Sequence, residues 1–392
     1  MNASITKADV VIIGTGMAGT TLVREMRKQG DSVTIHMITS DDGAVYSKPM
    51  LSNALAQGKT PDGLVQKTAA QFGEQQNVTM WTHTRVIAIN RRDKTVIVKG
   101  PEGRDVIGYE NLVLATGAHP RPYTAQGAGE ETFKTVNSLT DYARWRTDLS
   151  AGARVLIVGA GLIGLEFAND LVAQGFHVDV VDPVKIPLGR LLPEALGPVV
   201  ENALADAGVN FHLGHVIADV VEGPEGNVAH LDDGTPVPFD IALSAIGLIP
   251  NVKLAEEIGL KVAQGIVVDR TLRTADANIF ALGDCAQTDA GVLPFVLPLM
   301  AEARALAQTL TGTDTAIDFP AMPVAVKTPA IPIVVCPPAP GTEGEWVVEG
   351  QGTDWRAVFV TPGGEILGFA LTGAETQGRQ ALAREVPHVL AA

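Results

Sequence analysis

Hydrophobic positions along the chain fall into a pattern that occurs twice. Val10, Val11, Ile12 and Ile13 form an unbroken apolar run, as expected of a strand buried on both faces. The run stops at Gly14-x-Gly16-x-x-Gly19. A helical period follows, with Leu22, Val23 and Met26 on one side and Arg24, Arg27 and Lys28 on the other. Further on, Val155, Leu156, Ile157 and Val158 lead into Gly159-x-Gly161-x-x-Gly164, and Glu166, Phe167 and Leu171 lie in the helix after it. Gly30 and Gly175 lie equally far past the first motif glycine and end the two helices.

Shorter patterns fill in the rest. Ser32 to Ile38 predicts a second strand, and residues 78 to 98 alternate in the manner of β-structure. Asn111 to Gly117 reads as a buried strand broken at a small polar turn, with Ala118-His119-Pro120-Arg121-Pro122 marking a boundary. Val178 to Val181 is the second strand of the second unit. Ala242 to Gly247 echoes Val113 to Gly117. Ala277 to Asp284 ends an apolar strand in Gly-Asp, and Pro298 predicts the first position of a helix carrying Leu299, Ala303, Leu306 and Leu310. From Phe319 the texture becomes proline-rich and β-like, closing on a helix at Gly378 to Glu385. The predicted class is α/β: two Rossmann-like units and a small α+β C-terminal domain.

A strand, a glycine turn and a helix together suit a dinucleotide pyrophosphate. The first glycine makes the turn, the second admits the phosphates and the third lets helix and strand pack. The helix N-terminus adds free N–H groups and a positive dipole end. The ribose is usually held by a carboxylate at the end of the next strand. In the first unit that position is Thr39, so the ribose partner is either Asp41 or Asp42, or else hydroxyls and backbone. In the second unit it is Asp182, which would accept from a 2′-hydroxyl and repel a 2′-phosphate, with Lys185 nearby softening the contrast.

Composition narrows the function. The net charge of −15 argues against nucleic acid as a partner. Residues 1–118 carry 13 basic and 11 acidic side chains, and residues 119–247 carry 7 and 17. An acidic partner would therefore be steered to the first segment. No apolar run reaches membrane-span length, and the first one ends in a glycine turn, so no signal sequence or membrane insertion is expected. Cys285 and Cys336 form neither a C-x-x-C pair nor a metal cluster, so no metal site and no redox dithiol are predicted.

The order of motifs resembles the FAD/NAD-linked pyridine nucleotide-disulfide oxidoreductases. The glycine turns at 14–19 and 159–164, Ala-Thr-Gly at 115–117, Ala-Ile-Gly at 245–247 and Phe-Ala-Leu-Gly-Asp at 280–284 carry the likeness. Tyr46 to Ser52, Gly161 to Leu171, Leu297 to Leu310 and Met322 to Ala330 are similar to the rubredoxin reductases of bacterial alkane oxidation. The resemblance implies an FAD domain in two segments, 1–118 and 248–318, an NAD domain at 119–247, and a C-terminal domain at 319–392.

It also implies roles for individual residues. Gly14, Thr15, Gly16, Ala18 and Gly19 would hold the FAD pyrophosphate, with Thr39 and Ser40 at the ribose and Val86 at the adenine. Thr116, Asp284 and Val296 would line the rest of the cofactor. The Pro298 helix would aim its positive end at the flavin pyrimidine ring. Lys48 would sit near flavin N5, paired with Glu166, and Lys327 would reach the flavin from the C-terminal domain. Gly159, Gly161, Gly164, Asp182 and Gly247 would bind NADH. The implied activity is hydride transfer from NADH to FAD, then single-electron transfer to rubredoxin. The lack of a signal pattern and of a membrane-length run predicts a cytoplasmic protein, expected as a monomer or weak dimer. A ferredoxin or flavorubredoxin acceptor, and an NADH-sensing flavoprotein without a protein acceptor, are the competing expectations.

Overall fold

The first apolar run becomes the strand Thr6–Ile13 at the centre of a seven-stranded sheet. It pairs in parallel with Ile35–Ile38 on one side and with the long strand Gly103–Leu114 on the other. That long strand continues outward into an antiparallel meander with Thr95–Gly100 and Arg85–Asn90. The computed structural model describes residues 6–30, 33–129, 131–224 and 226–391. Ser32, the start of the expected second strand, lies outside them.

A strand from far along the chain completes this sheet. Ile279–Ala281 pairs in parallel with Gly103–Leu114, placing Phe280 beside Val113. One apolar core contains Leu22, Val113, Leu282 and Leu306, so the first and third stretches of chain bury their side chains together. The second unit forms its own parallel sheet in the order Val209–Leu213, His177–Asp182, Arg154–Val158, Ile241–Ser244, Phe133–Lys134. The last stretch forms an antiparallel sheet of Val324–Val326, Ile333–Cys336, Ile366–Thr372, Asp354–Val360 and Glu345–Gln351. A second core joins this sheet to the middle unit: Ile331, Ile333 and Val335 pack with Phe167, Leu171 and Leu55.

Three helices position the site. We denote Met17–Lys28 as α1, Leu162–Val172 as α2 and Val296–Leu310 as α3. α3 begins two residues before the predicted Pro298. The proline is tolerated there because N–H groups of a first helical turn have no intrahelical partner.

α3 also carries Glu302, a carboxyl only 4 % exposed. It accepts a hydrogen bond from Gly283 N at 2.6 Å, bracing the turn that ends Ile279–Ala281. Burial, with the neighbouring Asp284 charge adding to it, pushes its pKa from 4.5 to about 7. A carboxyl raised in the folded state holds its proton longer than in the unfolded chain. Stability therefore falls as pH rises from 4.5 to about 7, and the full cost, about 3 kcal/mol, stays above that range. Glu302→Gln keeps an acceptor for Gly283 N and removes the charge. We expect its melting temperature to exceed that of the wild type at pH 8 and the two to converge at pH 5. A difference that does not change with pH would show that Glu302 is not the titrating group.

Candidate active site

The two glycine turns have closely matched geometry. Gly14 and Gly159 adopt φ +117° and +111°, in the left-handed region. A Cβ on Gly14 would overlap the Ala115 carbonyl oxygen, and one on Gly159 would lie 2.7 Å from that of Ala245. At Gly19 and Gly164 a Cβ would collide with the carbonyl of the first glycine. Beside Gly16 and Gly161 nothing lies within 4 Å, so the backbone there is open to a ligand. Neither α1 nor α2 has a side-chain N-cap or an acidic residue in its first turn. Their leading N–H groups remain free, and no carboxylate opposes an anion. Thr15 and Ala18 are buried beside this turn. These features fit two pyrophosphates.

Around the first turn, Thr39 donates its hydroxyl to Asp41 Oδ1 at 2.6 Å, and the same oxygen accepts from Gly43 N. Asp42 accepts from Ala44 N. Ser40 lines a surface cavity with His83, Arg85 and Lys99. Val86 is half-buried nearby on the meander. Thr116 donates its hydroxyl to Asn251 O at 2.8 Å, and Asn251 Nδ2 donates back to Thr116 O at 2.7 Å. The two chain crossings at the predicted boundaries are thus tied together.

In the second unit, the Asp182 carboxylate accepts from Ala160 N and Val184 N, each at 2.7 Å. It braces the glycine turn as well as standing at the strand end. Ser244, at the tip of Ile241–Ser244, has a buried hydroxyl with no hydrogen-bond partner among the described residues. Gly247 is exposed at φ +103°.

The charged groups are arranged differently from the resemblance. Lys48 opens a short 3₁₀ segment, Lys48–Asn53. Burial lowers its pKa, and the carboxylates of Asp284 and Asp141 work against that. Asp284 is raised by burial and opposed by Lys48. These two groups therefore sense each other across the site. The implied Lys48–Glu166 pair does not form among the described residues. Glu166, 5 % exposed on α2, is bonded instead to Lys327 and Ser52. Ser52 Oγ donates to Glu166 Oε2 at 2.5 Å, and Lys327 N donates to Oε1 at 3.0 Å. The Lys327 ammonium donates to Oε2 as well. The carboxylate is occupied by Ser52, in the 3₁₀ segment that Lys48 opens, and by Lys327.

α3 starts at Val296, 39 % exposed, with no side-chain cap at Phe295 and no acid in its first turn. Its positive end is free to face an electron-rich ring. Both cysteines are buried and unpaired. Ser52, Asn251 and Glu302 were not predicted from the sequence. Only Ser52 had a signal, its place in the Tyr46–Ser52 stretch.

Comparison with known proteins places this geometry. Residues 8–309 match the family described as pyridine nucleotide-disulphide oxidoreductase. Residues 316–386 match the rubredoxin binding C-terminal domain. The chain is 44 % identical to a rubredoxin-NAD(+) reductase of Alcanivorax borkumensis, over 97 % of this chain and 99 % of that protein. It is 36 % identical to a nitric oxide reductase FlRd-NAD(+) reductase of Aeromonas salmonicida, over 97 % and 96 %. Among solved structures, a ferredoxin reductase from Rhodopseudomonas palustris superposes with a TM-score of 0.86 at 26 % identity, covering 97 % of this chain and 95 % of that one. With its paired glycine turns, inserted parallel sheet and C-terminal sheet, the chain belongs to the pyridine nucleotide-disulphide oxidoreductase family.

Proposed function

We propose that this chain is an FAD-dependent NADH:rubredoxin oxidoreductase, and that it supplies electrons for alkane hydroxylation. The observation that carries the reading is the union of two open glycine turns with a C-terminal segment matching the rubredoxin binding domain. When bound, FAD supplies the chemistry: it takes a hydride from NADH and gives up electrons one at a time. Residues 1–118 with 248–318 form the FAD domain, 119–247 the NAD domain and 319–392 the acceptor-facing domain. The shared core and the late strand of the first sheet support that division.

The chain's own groups bind, orient and set charge. Gly14, Gly16 and Gly19 with the start of α1 hold the FAD pyrophosphate, with Thr39, Ser40 and Val86 at the adenosine end. Asp284 accepts from the ribitol hydroxyls. Lys48 and the open end of α3 place positive charge where the ring gains electrons. The Glu166 bonds fix Lys327 and the Ser52 turn beside them. Gly159, Gly161, Gly164, Asp182 and Gly247 hold NADH. Cys285 and Cys336 are buried apart from any partner thiol, so electrons leave without a dithiol relay. The reading takes the chain as a cytoplasmic monomer or weak dimer. No described helix is long and apolar enough to cross a membrane. Arg85, Lys99 and Arg104 occupy facing positions across the meander. Like charges so placed repel each other, and an acidic partner would relieve them.

Two measurements test this reading. In the first, protein reduced by NADH without oxygen is offered rubredoxin or a two-iron, two-sulfur ferredoxin. Rubredoxin should be reduced at least about tenfold faster, a transition-state difference of about 1.4 kcal/mol. Preference for the ferredoxin would reassign the acceptor. Failure of both, with normal flavin reduction, would favour an NADH sensor. In the second, Asp182→Ala should raise the NADPH-to-NADH ratio of kcat/KM about tenfold or more by removing a repulsive carboxylate. Absolute rates fall for both nucleotides because Ala160 N loses its acceptor, so the ratio is the readout. An unchanged ratio would place Asp182 away from the ribose.

A further inference from the structure

α2 buries more polar groups than nucleotide binding asks of it. Glu166, Asn169 and Asp170 share one face of the helix at i, i+3 and i+4, and they are 5 %, 5 % and 3 % exposed. All three accept hydrogen bonds from other parts of the chain. Asp170 Oδ2 accepts from Leu55 N at 3.0 Å and Oδ1 from Ala56 N at 2.9 Å. Asn169 Oδ1 accepts from Ala330 N at 3.0 Å. Glu166 accepts from Ser52 on the first loop and from Lys327 on the second. The first loop is held again by Arg146, whose Nη1 donates to Lys59 O at 2.9 Å and whose charge also reaches Asp170.

The two loops come from opposite ends of the chain, and α2 is their common partner. Apolar contacts surround the bonds: Leu51, Ala54, Leu55, Phe167, Leu171 and Ile331 lie in one core. A buried acceptor that loses its donor is costly, so each bond resists opening. The first loop overlaps the end of the 3₁₀ segment that Lys48 opens, and the second carries Lys327. The N-terminus of the same helix is the open Gly161 turn.

We propose that Asp170 and Asn169 are positioning residues. With Glu166 they latch α2 to the 52–56 and 327–330 loops, so that one rigid helix sets the distance between the hydride donor at its start and the flavin beside those loops. This rests on the reading that NADH reduces FAD held by this chain. Hydride transfer is sensitive to such distances, because a small misplacement of reacting groups lowers the rate steeply. The latch acts on the rate at saturation rather than on NADH binding, which depends on the glycine turn.

The test uses FAD-loaded Asp170→Asn and Asn169→Ala. The first is isosteric, but its amide turns a donor towards one of the two N–H groups. Amide hydrogen exchange should quicken at Leu55 and Ala56 in the first variant and at Ala330 in the second. In rapid mixing, the limiting rate of FAD reduction should fall about tenfold or more, while the half-saturating NADH concentration changes less than about threefold. FAD content should match the wild type. Should Asp170→Asn lose FAD or fail to fold, Asn169→Ala, which removes a single bond, is judged by the same criteria. Faster exchange with a wild-type limiting rate would overturn the proposal, as would exchange that does not change. Failure of the parent reading has a separate signature: wild-type holoprotein that NADH does not reduce.

Discussion

The arrangement depends on the need to satisfy one buried carboxylate. Glu166 sits within α2 at 5 % exposure, and a charge so placed must be met by donors. Those donors come from two distant loops: the Ser52 hydroxyl, the Lys327 backbone and the Lys327 ammonium. Neither loop could move away without leaving the carboxylate short of partners. The middle unit, the first segment and the C-terminal sheet are thereby brought to one point. Lys48 opens the turn that contains Ser52, so the same constraint orders a second cation without touching it.

Electrostatics elsewhere follow the same logic of partial burial. Lys48 and Asp284 each carry a desolvation cost, and each offsets part of the other's. Among the described residues no such cation faces Glu302, and burial raises its pKa. The site thus holds one opposed pair and one carboxyl that gains neutrality as pH falls, beside helix ends that offer positive dipoles. Around the cofactor, positive charge is supplied by geometry as much as by side chains.

Much of this was legible in the sequence. The glycine turns declare themselves because backbone conformation, not side-chain chemistry, dictates them: only glycine suits φ +117° at Gly14 and the crowded contact at Gly19. The late strand at Ile279–Ala281 was readable from its apolar run into Gly-Asp. The partner of Glu166 was not, because the Lys48 expectation rested on family likeness and the choice between two lysines is made by tertiary packing. Asn169, Asp170 and Glu302 read locally as polar positions on amphipathic helices, which ordinarily face water. Asn169 and Asp170 are buried by loops that pack on α2 from far along the chain, and Glu302 by the turn at Gly283. Sequence periodicity carries no record of such contacts.

Glu166 and Lys327, bonded to each other, should act as one unit in ordering the site. A double-mutant cycle on the limiting rate of FAD reduction by NADH tests it most directly, using Glu166→Gln, Lys327→Met and the pair together. Each single change should slow reduction, and the double should be no slower than the worse single, a coupling of about 1–2 kcal/mol. Effects that simply multiply, with no coupling, would contradict it.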